Sequence, residues 1–327
     1  MSPMPQLNGE THEGVVIKKL LGTYIVDTGV EVITCNISSK LRKVLVMPTA
    51  DPSSIPRYEV VAVKDIRAVD PVAIGDRVRF MPSMPSSLIT DVLPRVNKLS
   101  RLAEGRKRLE QVIVANVDQV VCVFAAAQPE PRWNVLDRYL VTAESADIPA
   151  VIIITKIDLS VDDSVLEAVE EYRLLGYRVV LSSAENGNGI DEVRDLLRGR
   201  TSVLIGRSGV GKTSLLNAVQ PGLGLRVGTI SKKLKEGKHT TTHLEMLSLD
   251  IGGALIDTPG MREFHVWNPD GDDAAIFFRE MRPYVGTCKF GLDCSHTHEP
   301  GCAIRAAVES GSISERRYKS LLRINEA

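Results

Sequence analysis

Gly206-Arg207-Ser208-Gly209-Val210-Gly211-Lys212-Thr213 spells GxxxxGK[ST], the pattern of a loop that cradles phosphate. Its glycines let successive backbone N–H groups turn towards phosphate oxygens, and the helix that starts there adds its positive end. Lys212 would reach the β- and γ-phosphates and Thr213 would ligate magnesium, with Ser214 beside them at the helix start. The context fits: the apolar run Ser202–Ile205 precedes the loop and a helical pattern, Lys212–Val219, follows it. Asp257-Thr258-Pro259-Gly260 comes 44 residues after Thr213, at the end of another apolar run. Asp257 there can hold magnesium through water, and Gly260 can place its N–H on a γ-phosphate.

A nucleotide site also needs a base reader. A carboxylate accepts from guanine N1–H and N2–H together, whereas adenine would leave it unpaired. The expected Asn-Lys-x-Asp does not occur among the 67 residues after Gly260. It occurs upstream in altered form as Thr155-Lys156-Ile157-Asp158, closing the apolar run from Val151. Asp158 would read the base and Lys156 would lie along base and ribose. Thr155 stands where asparagine is usual and offers no amide, which predicts looser affinity or base fidelity. Ser183-Ala184, after the next apolar run, resembles the loop whose backbone contacts guanine O6. The order is therefore base, base, phosphate, switch, magnesium: a cyclic rearrangement, which a sheet with neighbouring termini tolerates.

Residues 228–242 are polar, basic and aperiodic, as a switch loop would be. Thr241 is the favoured magnesium contact there. Met261 follows Gly260, so the usual water-orienting glutamine is missing, and His239 is the candidate to orient water instead. Further on, Cys288, Cys294 and Cys302 with a histidine offer a closed Cys₃His set, the donor chemistry of structural zinc. His296 and His298 compete for the fourth place. Cys35 and Cys122 fall in apolar strand patterns and read as buried.

These residues need elements to hold them. Short β-branched runs between residues 14 and 94 predict a small β-barrel, with an OB-fold as one candidate. Residues 95–110 carry six basic against two acidic side chains and read as a basic connector. From 111 to 265, strand-length apolar runs alternate with helical patterns, which implies a parallel sheet covered on both faces. Residues 266–327 hold a helical pattern at Asp273–Arg282, the Cys/His cluster, and two short helices with five basic side chains. Residues 1–13 read as a loose tail.

The composition bounds the rest. The 327 residues carry 40 basic and 41 acidic side chains, which excludes a globally basic nucleic-acid coat but not local patches. Hydrophobic residues at 43% exclude a largely disordered chain. The longest apolar run, Val120–Ala127, is too short for a bilayer, and no charged-then-apolar leader opens the chain. Five cysteines, three within fifteen residues, fit a reducing cytoplasm better than a disulfide framework.

The motifs together closely resemble the bacterial ribosome small-subunit-dependent GTPases. They are Arg95-Val-Asn-Lys-Leu-Ser-Arg101, Asn116-Val-Asp-Gln119, TKID, GRSGVGKT, Gly237-Lys-His-Thr-Thr-Thr242, DTPG and the cluster ending at Cys302. The resemblance spans Gly14 to Ile324. It implies a multidomain α/β protein with an N-terminal OB-fold, a central circularly permuted GTPase domain and a C-terminal zinc domain. It implies His239 as the catalytic residue and His296 as the zinc ligand. The first cysteine spacing is one residue longer than the family's, placing an insertion after Phe290. The implied partners are GTP and GDP, the 30S subunit and its 16S rRNA, with no membrane and a monomeric chain. The rival classes are a P-loop kinase, which would leave TKID and the serine loop idle, and an RNA chaperone with a purely structural nucleotide.

Overall fold

The computed structural model describes residues 11–20, 22–42, 44–46, 62–64, 70–102, 110–159, 161–223, 245–257 and 273–326. It divides into two compact units: residues 1–116 with 243–246, and residues 117–242 with 247–327.

The first unit holds strands β1 (His12–Leu20), β2 (Thr23–Asp27), β3 (Val32–Ile37), helix α1 (Ser39–Arg42), β4 (Val44–Val46), β5 (Ala62–Lys64), β6 (Arg77–Met81), β7 (Ser87–Val92), β8 (Lys98–Leu102) and β9 (Glu110–Ala115). Five of them run in the order β1-β2-β3-β7-β6, and β6 pairs back onto β1, which closes a barrel. The β3–β7 link is parallel and the other links are antiparallel. This is the OB-fold arrangement. Alternation along the strands fills the interior with Val16, Val26, Cys35, Val78, Phe80 and Ile89. Burial pushes the Cys35 thiol up to about 11, so it is an inert core group.

The basic stretch 95–110 departs from a solvated connector. Lys98–Leu102 is a strand, paired antiparallel with β9, and Leu99 is buried. Arg95 forms an ion pair at 2.7 Å with the buried Asp76, and its guanidinium also donates to Pro71 O at 3.0 Å. Lys98 pairs with Glu110 at 2.5 Å and Arg101 donates to Gln111 Oε1 at 2.9 Å. Three of the six basic groups are thus held by partners within the unit, while residues 103–109 lie outside the described residues.

The second unit holds β10 (Gln119–Ala125), α2 (Trp133–Ser145), β11 (Ala150–Thr155), α3 (Asp163–Leu174), β12 (Arg178–Leu181), α4 (Ile190–Leu197), β13 (Arg200–Ile205), α5 (Lys212–Val219), the last two residues of β14 (Glu245–Ser248), β15 (Gly253–Asp257), α6 (Ala303–Glu309) and α7 (Glu315–Asn325). Its strands β12-β11-β10-β13-β15 lie side by side and all four links are parallel. Every residue of β10 and β11 is buried, as strands covered on both faces must be. Val121, Val123, Ile153, Val180, Leu196, Leu204 and Leu216 share one core. Burial holds the Cys122 thiol up at about 12.

The motif Asn116–Gln119 fixes strand ends. Asn116 accepts from Val96 N–H and donates to Gly75 O, and Asp118 accepts from Thr201 N–H at 2.7 Å. Gln119 donates to Leu196 O and Ser202 Oγ. The helical pattern at Asp273–Arg282 is not one helix. Ala274–Phe277 forms a 3₁₀ turn capped by Asp273, and Phe278 turns extended. Phe278 and Met281 are driven into the C-terminal core and Glu280 towards Arg317, so tertiary packing overrides the helical spacing.

Candidate nucleotide site and metal centre

In a parallel sheet, loops at the carboxyl ends of neighbouring strands form the binding crevice. Here β13 leads into the GxxxxGKT loop, β15 beside it ends in Asp257, and β11 and β12 on the other side end in the TKID and Ser183-Ala184 loops. Gly206 passes so close to β10 that a Cβ would lie 2.4 Å from Val123 O, so the loop needs glycine there. Gly211, at φ 92°, turns the chain into α5. Val210 anchors the loop in the core. Lys212 Nζ donates to Gly206 O at 2.6 Å and Arg207 O at 3.2 Å, so its ammonium lies over the loop. Arg207 is half-buried, Ser208 and Gly209 are exposed, and Thr213 and Ser214 form the first turn of α5.

The upstream motif meets this loop. Lys156 Nζ donates to Gly209 O at 2.8 Å and also to Gln128 O. Thr155 Oγ1 lies 2.5 Å from Val210 O and 3.1 Å from Phe124 O. The hydroxyl therefore ties the end of β11 to the phosphate loop. Asp158 is exposed, and its Oδ1 accepts from Ser183 Oγ at 2.5 Å. Ser183 Oγ in turn lies 3.2 Å from Glu185 N and 3.4 Å from Asn186 N, which shapes the loop carrying Ala184. The structure thus brings Thr155, Lys156, Asp158 and Ser183 together with residues 206–213. Asp257 closes β15 in register with Leu204 of the phosphate strand. His239, Thr241 and Gly260 lie outside the described residues.

Four donors gather in the C-terminal part. One ligand atom each from Cys288, Cys294, His296 and Cys302 lies within 4.8 Å of the others, and all four residues are buried. His296 turns Nδ1 to the sulfurs, 3.4 Å from Cys302 and 3.6 Å from Cys288. Its Nε2 lies 2.5 Å from Asp273 Oδ2, an orienting carboxylate behind a metal-facing imidazole. Ala303 N–H points at Cys288 Sγ at 3.2 Å. This donor set fits a closed tetrahedral ion of the zinc type. His298 is outside the cluster, its Nδ1 at 2.8 Å from Thr297 Oγ1. Asp273 carries no sequence signal, because it lies 23 residues before the histidine it orients.

A second feature escapes the motifs. Arg317, 1% exposed, pairs with the fully buried Asp137 of α2 at 2.6 Å and with Glu280 at 2.6 Å. Burial alone would lower its pKa, but Asp137 and Glu280 outweigh it and hold the guanidinium well above its ordinary value. Arg316 pairs with Glu171 of α3 at 2.5 Å and donates to Tyr172 OH at 2.8 Å. Arg279 and Arg282 both pair with Glu144 of α2. The Cys/His part is therefore fastened to the α2–α3 face of the sheet.

The permuted motif order, the phosphate loop and the OB barrel define a circularly permuted P-loop GTPase. The family model described as RsgA GTPase matches residues 92–267. The chain belongs to this family. The small ribosomal subunit biogenesis GTPase RsgA of Chlorobaculum tepidum is 41% identical over 322 residues, 96% of this chain and 97% of that protein. The protein of the same name from Gemmatimonas aurantiaca is 42% identical over 258 residues, 78% of this chain and 84% of its own length. The crystal structure of YjeQ from Thermotoga maritima superposes with a TM-score of 0.68 at 30% identity, covering 97% of this chain and 98% of that one. YloQ, titled a circularly permuted GTPase, gives 0.63 at 28% identity over 99% and 97%. Among the described residues no helix is long and apolar enough to cross a membrane.

Proposed function

We propose that this GTPase is a nucleotide switch acting in the cytoplasm on the 30S subunit, at a late step of its maturation, as a monomer that contacts 16S rRNA. The observation that carries the nucleotide part is the tie between Lys156, Thr155 and the phosphate loop, which sets a base reader and a phosphate cradle at one sheet edge. Asp158 reads guanine and Ser183 holds its carboxylate in place. On GTP binding Lys212 exchanges its loop carbonyls for the β- and γ-phosphates. Thr213 and Thr241 would hold the magnesium that accompanies GTP, with Asp257 holding it through water, and Gly260 would offer its N–H to the γ-phosphate. His239 orients the attacking water. Cys288, Cys294, His296 and Cys302 hold one zinc ion whose role is structural, since four protein donors leave no open position. The ribosomal part is supported by the names of the relatives.

The domains in this reading are a tail at 1–13, an OB-fold at 14–94, a connector at 95–110, the GTPase at 111–265 and the zinc domain at 266–327. The test is hydrolysis of GTP and ATP with and without purified 30S subunits. GTP alone should be hydrolysed, slowly by itself and faster with subunits. His239→Ala should abolish most of the stimulation and leave nucleotide affinity near wild type. Equal hydrolysis of both nucleotides, or full stimulation in the variant, contradicts the reading.

A further inference from the structure

Lys156 rests on two backbone carbonyls, one from the phosphate loop and one from Gln128. Gln128 belongs to the loop 126–132, which leaves β10 and enters α2. The same loop brings Pro129 to the phosphate loop, where a Cβ on Gly209 would lie 3.8 Å from Pro129 Cδ. Trp133 opens α2 and packs on Tyr172, ring centroids 5.9 Å apart. The Arg316 guanidinium stands 5.7 Å from the Trp133 ring centre and 4.9 Å from that of Tyr172. Glu171 and Tyr172 OH fix its plane. Arg316 comes from α7, in the Cys/His part of the chain, and reaches neither the phosphate loop nor the base loops.

We propose that Arg316 is a positioning residue for nucleotide binding. It holds Trp133 at the start of α2, thereby fixing the loop 126–132 and the Gln128 carbonyl that anchors Lys156. The inference rests on the nucleotide site proposed above. Its physical basis is preorganisation: an anchor that is already in place spares the nucleotide the cost of ordering it. The guanidinium faces the Trp133 and Tyr172 rings while its two Nη groups are taken by Glu171 and Tyr172 OH, a set of contacts that one lysine ammonium cannot reproduce.

The test measures equilibrium binding of a fluorescent GDP analogue, with thermal unfolding alongside, for Arg316→Ala, Arg316→Lys, Lys156→Met and the double variant Arg316→Ala/Lys156→Met. Arg316→Ala should weaken binding about fivefold, with kcat at saturating GTP nearly unchanged. Arg316→Lys keeps the ion pair but not the guanidinium's place against the Trp133 and Tyr172 rings. It should lose the same affinity while unfolding closer to the wild-type temperature, which a purely stabilising role would not produce. The double variant should bind no worse than Lys156→Met alone. Additive losses, or affinity in Arg316→Lys that tracks its stability, overturn the inference. Failure of the wild-type chain to bind the GDP analogue overturns the site itself, and the inference with it.

Discussion

The hydroxyl of Thr155 has one proton and faces two backbone carbonyls, Val210 O and Phe124 O. In sequence this residue is a departure from asparagine that predicts looser affinity or base fidelity. In the structure its contacts are with the phosphate loop and the neighbouring strand, while Asp158 sits three residues on. Its loss should therefore weaken nucleotide binding without changing which base is chosen. Thr155→Val keeps the shape of the side chain and leaves a buried carbonyl unpaired, a cost of about 1–3 kcal/mol. Isothermal binding of GDP should show a loss of about tenfold in affinity with the preference for GTP over ATP intact. A changed preference with unchanged affinity would instead assign base fidelity, rather than affinity, to this position. The phosphate loop was legible because glycine, lysine and threonine at fixed spacing admit few other uses. The lysine on Gln128 O was not, because a backbone carbonyl leaves no mark in residue types.

At the scale of elements, the Cys/His part and α7 make two separable predictions. If Cys288, Cys294 and Cys302 hold an ion, the native protein should expose almost no thiol to an aromatic disulfide reagent. Chelation should then release three, and denaturation the remaining two, because Cys35 and Cys122 are buried with raised pKa values. Three reactive thiols in untreated protein would count against a bound ion. Separately, Arg317→Ala takes from the buried Asp137 its close ion-pair partner and leaves it Tyr172 OH at 2.6 Å and Arg316 at 3.7 Å, a loss that should cost up to about 3–5 kcal/mol. Urea unfolding should show that loss, and a change under about 1 kcal/mol would mean that Tyr172 and Arg316 hold the carboxylate well enough without Arg317. The cluster could be read from local spacing. The Arg317–Asp137 pair could not, since its members lie 180 residues apart and each looks like a solvent-facing charge on a helix. Likewise Asp273–Arg282 has helical spacing, yet Glu280 is claimed by Arg317 and Phe278 by the core, so the helix gives way.

Across the whole molecule, the near balance of 40 basic against 41 acidic residues conceals how many charges are already committed. Arg95 is locked to Asp76, Lys98 to Glu110, and Arg316 and Arg317 to the α2–α3 face. A basic stretch and a basic helix that look free for RNA in the sequence thus spend much of their charge inside the protein. The alternation of strands and helices was enough to foresee a covered parallel sheet, and the barrel followed from short β-branched runs. What joins the C-terminal part to the sheet is made by side chains far apart in the chain.

In the proposed function Asp158, lying before the phosphate loop in sequence, reads the base of the nucleotide held at 206–213. Asp158→Asn tests it most directly. An amide in that place accepts from N1–H and donates to a 2-oxo group, so it suits xanthine where the carboxylate suits guanine. Competition binding of GDP and XDP to both proteins is the measurement. The wild-type chain should prefer GDP by about a hundredfold or more, and the variant should prefer XDP. The same preference for GDP in both proteins would contradict the claim.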